Sequence, residues 1–290
     1  MQESGRRFLT RAELAAVAGE RLAGLALAGL WCAGDPAALA APLVAIVGTR
    51  APSEDGRRLA RRLAAEVGAA GAGVISGLAL GIDAAAHEGA LAAGARTVGV
   101  LGGGHDCFFP PRNAELARRI AAAGGAVLSP YPPDCPARPW QFLARNGIVA
   151  ALASGVVVVE AAARSGALNT ASWAADRGVA VMAVPGDVGR PKVAGCLALI
   201  RDGATLVRDA ADVLAQLGIA PSPPRPLEAG PADPAGAAML ELLGGGPATA
   251  DALAAASGLG AAPALARLGE LQAAGLIEAG PDGRWRRSPG

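Results

Sequence analysis

The sequence predicts an α/β protein with a doubly wound, mostly parallel sheet, followed by a smaller C-terminal domain. Three observations lead to this prediction. Short uninterrupted runs of valine, isoleucine and leucine alternate with helical segments, which is the pattern of strands buried on both faces. Most of these runs end in glycine or hydroxyl residues. A proline-rich segment then separates the C-terminal part of the chain from the rest.

The main domain is expected over residues 41–218. Its first strand is Leu43–Val47, because this run reads LVAIV and is bounded by Gly48. A helix is expected at 53–70, where an apolar stripe faces the sheet and arginines occupy the opposite side. Further strands are expected at 73–76, 97–101, 126–128, 155–159 and 179–184, with helices near 82–93, 113–123, 141–153 and 168–177.

Two flanking regions complete the chain. Residues 1–40 are expected to form a short helical lead-in, and 219–234, with six prolines, a semi-rigid linker. Residues 235–290 have the pattern of a winged helix, which is three short helices followed by a β-hairpin. The helices are expected at 235–243, 249–257 and 261–274, and the hairpin strands at 276–278 and 284–286.

The composition limits the classes of function. Hydrophobic residues make up 52% of the chain and aromatic residues 3%, so the core must be aliphatic. With 26 basic and 25 acidic residues the net charge is +1, and any nucleic-acid site must therefore be a local patch. The four cysteines form no CxxC pair, so we predict neither a metal site nor disulfides, and no cofactor. These cysteines are Cys32, Cys107, Cys135 and Cys196.

No targeting signal is expected. The N-terminus is charged before any apolar run, and the best apolar stretch, 22–34, is too short to span a bilayer. The sequence is thus expected to belong to a cytoplasmic protein without a membrane partner.

Turns rich in glycine and hydroxyl residues follow four of the expected strands. They read Gly48-Thr49-Arg50, Ser76-Gly77, Gly102-Gly103-Gly104 and, after Glu160, Ser165-Gly166 at the start of a helix. Any one of these could be an ordinary turn. Because parallel strands end at the same edge of a sheet, and helix N-termini there attract anions, the four together predict a phosphate-binding crevice.

Catalytic motifs are missing from the sequence. It contains no GxGxxG, Walker A, GxSxG or HExxH pattern. His87 is interpreted as structural, whereas His105 could line the crevice. Glu160 is the one credible buried carboxylate for chemistry, and it could equally orient the glycine turn.

Several motifs in a fixed order then suggest a family. Residues 30–210 contain, in this order, LWCAGDPAAL, VAIVGTR, SGLALGIDAAAHEGAL, VLGGGHDCFFPPRNAEL, LSPYPPD, QFLARNGIVAALASGVVVVEAAARSGALNTA, VPGDVG and GCLALIRDGATLV. With these motifs the chain resembles the DNA-processing protein A (DprA/Smf) family. The resemblance implies an extended Rossmann-like domain that binds and protects incoming single-stranded DNA. It also implies a homodimer without catalytic activity that loads a RecA-type recombinase during natural transformation.

The resemblance also implies residue roles. Arg50 and the Ser76–Gly77 turn would contact DNA, Phe142 would stack on a base, and Arg145 and Asn146 would meet phosphate. Ser165, Gly166 and Thr170 would line the same crevice. The full set of expected binding residues is Gly48, Thr49, Arg50, Ser76, Gly77, Gly103, Gly104, Phe142, Arg145, Asn146, Ser165, Gly166 and Thr170.

The chain departs from the family pattern at four positions. Leu80, Ala144 and Gly147 replace residues that are usually basic, and Leu143 replaces a proline. The lost cations predict weaker and less salt-sensitive DNA binding. One alternative is a nucleotide sensor, or an enzyme similar to nucleoside-monophosphate phosphoribohydrolases, that uses the same crevice. Another is a transcription regulator acting through the winged helix, whose helix 261–274 offers only Arg267, set against Glu270.

Overall fold

Buried aliphatic runs form the strands of the main sheet. The computed structural model describes residues 6–220, 234–273, 276–280 and 283–288. All five residues of the central strand β3 are buried, as the LVAIV pattern predicts. The strands are β1 (Arg6–Thr10), β2 (Gly29–Gly34), β3 (Leu43–Val47), β4 (Gly73–Ser76), β5 (Thr97–Val100), β6 (Ala126–Ser129), β7 (Gly155–Val158), β8 (Ala180–Ala183) and β9 (Thr205–Leu206).

The strand order gives the sheet a topological switch point. It reads β1-β2-β6-β5-β4-β3-β7-β8-β9, and all pairs from β6 to β9 are parallel. From β3 the chain first adds strands on one side, through β4 and β5 to β6, and then returns to add β7 on the other side. The predicted doubly wound, Rossmann-like sheet is confirmed. The crevice of such a sheet lies at the carboxyl ends of β3 and β7, from which the chain continues in opposite directions along the sheet.

Helices cover both faces of the sheet and bury three aliphatic clusters against it. Local sequence determines where several of them begin. Ser53, for example, accepts a hydrogen bond from the backbone N–H of Gly56 at 3.0 Å and so caps α2. The helices are α1 (Arg11–Ala18), α2 (Glu54–Ala69), α3 (Ile82–Ala92), α4 (Ala114–Ala122), α5 (Pro139–Leu152), α6 (Gly166–Ala175), α7 (Ala194–Arg201) and α8 (Ala210–Gln216).

The expectation of a helical lead-in over 1–40 is corrected by the structure. Its described part contains α1, but β1 and β2 extend the sheet, with β2 antiparallel to β6 and β1 antiparallel to β2. The sequence of β2, GLWCAG, has glycine at both ends and therefore a weak strand signal. Gly29 permits this pairing, since a Cβ there would collide with the carbonyl oxygen of Leu9.

The C-terminal unit has its own core, formed by Met239, Leu253, Leu268 and Ile277 among others. The predicted winged-helix pattern of three helices and a hairpin is confirmed. The expected linker lies mostly outside the described residues, as does the tip of the hairpin. The elements are α9 (Pro234–Gly244), α10 (Ala250–Ser257), α11 (Ala261–Ala273), β10 (Ile277–Ala279) and β11 (Trp285–Arg287). Among the helices of the described ranges, none combines the length and apolar character needed to cross a bilayer.

Candidate nucleic-acid interface

A cavity of about 320 Å³ opens at the switch point of the sheet. Its walls come from the turns that follow β3, β4 and β7, from one side of α5 and from the beginning of α6. Ten of the expected binding residues line it, and they are Gly48, Thr49, Arg50, Gly77, Phe142, Arg145, Asn146, Ser165, Gly166 and Thr170. The crevice predicted from strand ends therefore exists as one connected space.

The turn after β3 is held by the segment that follows β7 and by the start of α3. The backbone N–H of Thr49 donates to the carbonyl of Glu160 at 2.7 Å, and the carbonyl of Thr49 accepts from Ile82 at 3.2 Å. Gly48 lies so close to Ile82 that a Cβ would be 2.7 Å from its Cγ1. Gly81 has φ +85°, and a Cβ there would collide with the backbone of Thr49 and Arg50. These contacts fix where Arg50 enters the cavity.

The turn after β4 is organised by a buried carboxylate. Asp83 accepts hydrogen bonds from the backbone N–H groups of Gly77 at 3.0 Å and Ala79 at 3.4 Å. Between them Leu78 adopts φ 55°, which is unfavourable for a side chain with a Cβ. Asn113 stabilises this conformation of the turn, since its Nδ2 donates to the carbonyls of both Leu78 and Ala79. Burial raises the pKa of Asp83, and the nearby Arg145 opposes that shift.

Arg145 lies beneath the cavity and is 4% exposed. Its Nη1 donates to the carbonyls of Gly77 and Val100, at the ends of two adjacent strands. Burial lowers the pKa of Arg145 to about 10. Arg145 therefore fixes the turn after β4 and supplies positive charge there. Because it also lines the cavity, its expected contact with phosphate stays a prediction.

Phe142 and Arg50 form the aromatic and cationic part of the wall. The guanidinium carbon of Arg50 lies 5.7 Å from the centroid of the Phe142 ring, in cation–π contact. Phe142 itself packs on Gly102, where a Cβ would approach the ring within 2.6 Å. Arg50 is exposed and forms no ion pair with any residue that the structure describes. Its charge is therefore available to a ligand.

The start of α6 forms the opposite wall. Ser165 caps the helix, with its hydroxyl accepting from the N–H of Ala167 at 3.2 Å. Asn146 reaches across from α5 and donates to the carbonyl of Gly166 at 3.2 Å. Arg164, which was not among the expected binding residues, is exposed and also lines the cavity. Its position beside a helix N-terminus was the available signal, because both features attract anions.

Three expected binding residues lie elsewhere. Ser76 is fully buried, and its hydroxyl donates to the carbonyl of Ile46 at 2.8 Å inside the sheet. A Cβ on Gly103 would lie 2.9 Å from that of Ala137, and one on Gly104 would collide with the carbonyl of Pro132. The absence of side chains at these glycines leaves space for the protein's own loop 132–137. The interpretation that they approach a ligand is therefore corrected.

The candidate catalytic groups are occupied by structural contacts. Glu160 accepts hydrogen bonds from the hydroxyl and, at 2.9 Å, the N–H of Ser53, and it lines a separate cavity of about 190 Å³. His105 is buried, with its Nε2 2.9 Å from the carbonyl oxygen of Val127, and does not line the crevice. His87 is buried beside Thr97, at 2.8 Å from its hydroxyl.

One departure from the family pattern has a packing explanation. Gly147 is buried on α5, and a Cβ there would lie 3.2 Å from the indole ring of Trp173 on α6. A longer side chain would therefore separate the two helices. Leu80 instead lines a small apolar slot next to the cavity, and Ala144 is exposed, with nothing in the structure that explains its identity.

Comparison with known proteins gives the same family. The model of the DNA recombination-mediator protein A family matches residues 25–218, and that of the DprA winged helix domain matches 220–283. The putative DNA processing protein DprA of Mycobacterium tuberculosis strain H37Rv is 44% identical over 266 residues, 89% of this chain and 68% of that protein. The DNA processing protein DprA of Bacillus subtilis is 37% identical over 174 residues, 60% of this chain and 58% of that protein.

Two solved structures are also similar. DNA processing protein A from Streptococcus pneumoniae superposes with a TM-score of 0.62 and 39% identity, over 66% of this chain and 67% of that chain. A structure describing the single-stranded DNA binding mode of DNA processing protein A from Helicobacter pylori superposes with a TM-score of 0.65 and 28% identity, over 75% of this chain and 98% of that chain. The resemblance predicted from the motifs is confirmed: this chain belongs to the DNA recombination-mediator protein A family.

Proposed function

We propose that the chain binds single-stranded DNA in the cavity at the switch point of its sheet. The observation that carries the proposal is the juxtaposition of Arg50 and Arg164 with the ring of Phe142 in one space. Cations recognise the phosphate backbone, and an aromatic ring recognises an unpaired base whatever its sequence. A binding mode for single-stranded DNA is described for the Helicobacter pylori relative, which supports the same ligand here.

The charge of the lining favours an anion. The charged residues that line the cavity are three arginines, Arg50, Arg145 and Arg164, and one carboxylate, Asp83. Asp83 accepts hydrogen bonds from backbone N–H groups. The N-terminus of α6 adds its partial positive charge at Ser165 and Gly166. The overall net charge of +1 therefore conceals a local positive site.

The geometry gives a nucleotide hydrolase no comparable support. Such an enzyme needs a carboxylate that reaches the sugar of a bound nucleotide. Glu160 lies in another cavity with its oxygens bonded to Ser53, and Asp83 is engaged by the turn after β4. We therefore propose a binding protein rather than an enzyme.

The test is a titration with labelled oligo-dT and with a duplex of matched length, each at two salt concentrations. Phe142 is half-buried in the wall and can stack only on an unpaired base, so we expect the single strand to bind more tightly at both. Equal affinity for the two forms would refute the proposal.

The larger role follows from family membership and is part of the same proposal. Relatives are described as DNA processing proteins and the family as recombination mediators. We infer that this chain acts as a homodimer, protects incoming single-stranded DNA in the cytoplasm and loads a RecA-type recombinase during natural transformation. Light scattering of the purified protein tests the dimer. Strand exchange by the recombinase on DNA coated with single-strand-binding protein, with and without this chain, tests the loading.

A further inference from the structure

We propose that a second, apolar slot beside the cavity holds one unstacked pyrimidine base of the bound strand. The inference rests on the proposed function and adds a subsite to it. The slot has a volume of about 100 Å³, and three of its side chains lie outside the main cavity: Leu80, Phe109 and Pro110. The side chain of Phe142 lines both the slot and the main cavity.

Phe109 offers stacking surface to a ligand. Its side chain is 51% exposed, and its ring centroid lies 5.8 Å from that of Phe142 at an interplanar angle of 59°. The two phenyl rings are in contact with each other, so a flat ring that packs beside the pair can stack on the exposed face of Phe109. Entry would also remove an exposed phenyl group from water.

The slot is continuous with the phosphate site. Arg50, Gly77 and Phe142 line both spaces, so a nucleotide whose phosphate meets Arg50 has the slot within reach of its base. This continuity identifies the occupant as a base of the same strand rather than an unrelated apolar ligand.

Size and polarity favour a pyrimidine. An engineered apolar cavity of ~150 Å³ holds benzene, so a slot of about 100 Å³ that is open on one side suits a single ring better than a fused pair. The polar groups that line it include the guanidinium of Arg50, which forms no ion pair with the described residues. Thymine and cytosine carry carbonyl oxygens that accept from such a donor, whereas adenine offers only ring nitrogens as acceptors.

The experiment uses the full chain and three ligands of equal length: oligo-dT, oligo-dA and an abasic strand. Two variants alter the slot, since Phe109→Ala removes one wall and Leu80→Trp fills the space. Phe8→Ala is the matched control, because Phe8 is 40% exposed and makes a similar ring contact, 5.4 Å from Trp31, on β1. Melting temperatures establish that each variant is folded.

We expect Phe109→Ala and Leu80→Trp each to weaken oligo-dT binding at least about fivefold and to change abasic-strand binding by less than about twofold. The preference of the wild type for oligo-dT over oligo-dA should fall in both variants and persist in Phe8→Ala. If folded variants of Leu80 and Phe109 keep the wild-type ratio while oligo-dT still binds, the slot is refuted and the proposed function stands. If the wild type binds none of the three strands, the proposed function fails and the slot fails with it.

Discussion

Arg50 is placed by backbone contacts rather than by a carboxylate. The carbonyl and N–H of Thr49 are both engaged, and the Arg50 guanidinium itself lies against Phe142. Its pairing with Glu160, which would have made it a structural residue, does not occur, since Glu160 bonds to Ser53. Removing the side chain should therefore affect binding more than stability.

Substitution of Arg50 tests this directly. Arg50→Ala should weaken single-strand binding by roughly 1.5–3 kcal/mol, as expected for a charge-assisted hydrogen bond to phosphate. The slope of log affinity against log salt should flatten by about 0.7, because one fewer counterion is released from the strand. Affinity and melting temperature should be measured on the same preparation. A variant that melts earlier but binds normally would contradict the assignment.

His87 should make stability depend on pH. Burial lowers the pKa of His87 to about 3 in the folded protein from 6.5. Below pH 6.5 the unfolded chain therefore binds a proton that the folded chain excludes, so the free energy of unfolding falls as pH decreases toward 3. The wild type should lose roughly 2 kcal/mol more than His87→Gln between pH 6.5 and pH 5, at ~1.4 kcal/mol per unit. Urea unfolding of both proteins at the two pH values measures this difference. Equal losses of unfolding free energy in the wild type and in His87→Gln would refute the prediction.

At the scale of elements, the site depends on how two turns contact each other. Gly81, at the start of α3, has φ +85°, and a Cβ there would lie 2.7 Å from the carbonyl carbon of Arg50. Gly81→Ala should therefore displace the turn after β3 and weaken single-strand binding by at least about tenfold, ~1.4 kcal/mol. The turn's position, rather than the arginine's chemistry, is what this variant changes.

The matched control for Gly81 is Gly94. It also has positive φ, +63°, but a Cβ there would meet no described atom within 4 Å. Gly94→Ala should lose roughly 1–2 kcal/mol of stability from backbone strain and keep its affinity. Gly81→Ala should lose more stability, because its Cβ also collides with the backbone of Thr49 and Arg50. If folded Gly81→Ala also binds normally, the contact between the two turns is not needed for the site.

The same turns show how far a sequence can predict a site. Gly48, Arg50 and Gly77 follow parallel strands, and strand ends meet at one edge, so their proximity was predictable. Gly103 also follows a strand, but a glycine does not reveal whether a ligand or the protein's own backbone fills the space beside it. The role of Arg145 was likewise hidden, because its hydrogen bonds go to backbone carbonyls that only the folded sheet brings together.

At the scale of the whole molecule, long aliphatic runs were more informative than short ones. The strands β3 to β8 were predicted within two residues at each end, because burial on both faces leaves little choice of residue type. β1, β2 and the two-residue β9 were missed, since their stability comes from pairing with strands already present. Strands at or next to the edge of the sheet, such as these, depend on tertiary contacts rather than on their own sequence pattern.

The two units should differ in their importance for DNA binding. The cavity lies entirely within the first unit, whose core is separate from that of the winged helix. In the winged helix, Arg267 on α11 pairs with Glu270 at 2.5 Å, and Arg286 pairs with Glu278 at 2.8 Å. Cations that are already paired contribute less to phosphate binding, so α11 is poorly suited to reading the major groove.

A truncation after Ala220 tests this division. The boundary keeps Ile219, which packs against the aliphatic cluster beneath α2 and α8, so the first unit should remain folded. Because the cations and the aromatic wall of the cavity are all retained, the truncated chain should bind oligo-dT within about tenfold of the full chain, a difference below ~1.4 kcal/mol. The salt slope should also be unchanged, since no phosphate contact is removed. Both chains should be titrated side by side after their melting temperatures have been compared. A larger loss of affinity together with a shallower salt slope, in a truncated chain that is still folded, would place part of the DNA contact on the winged helix.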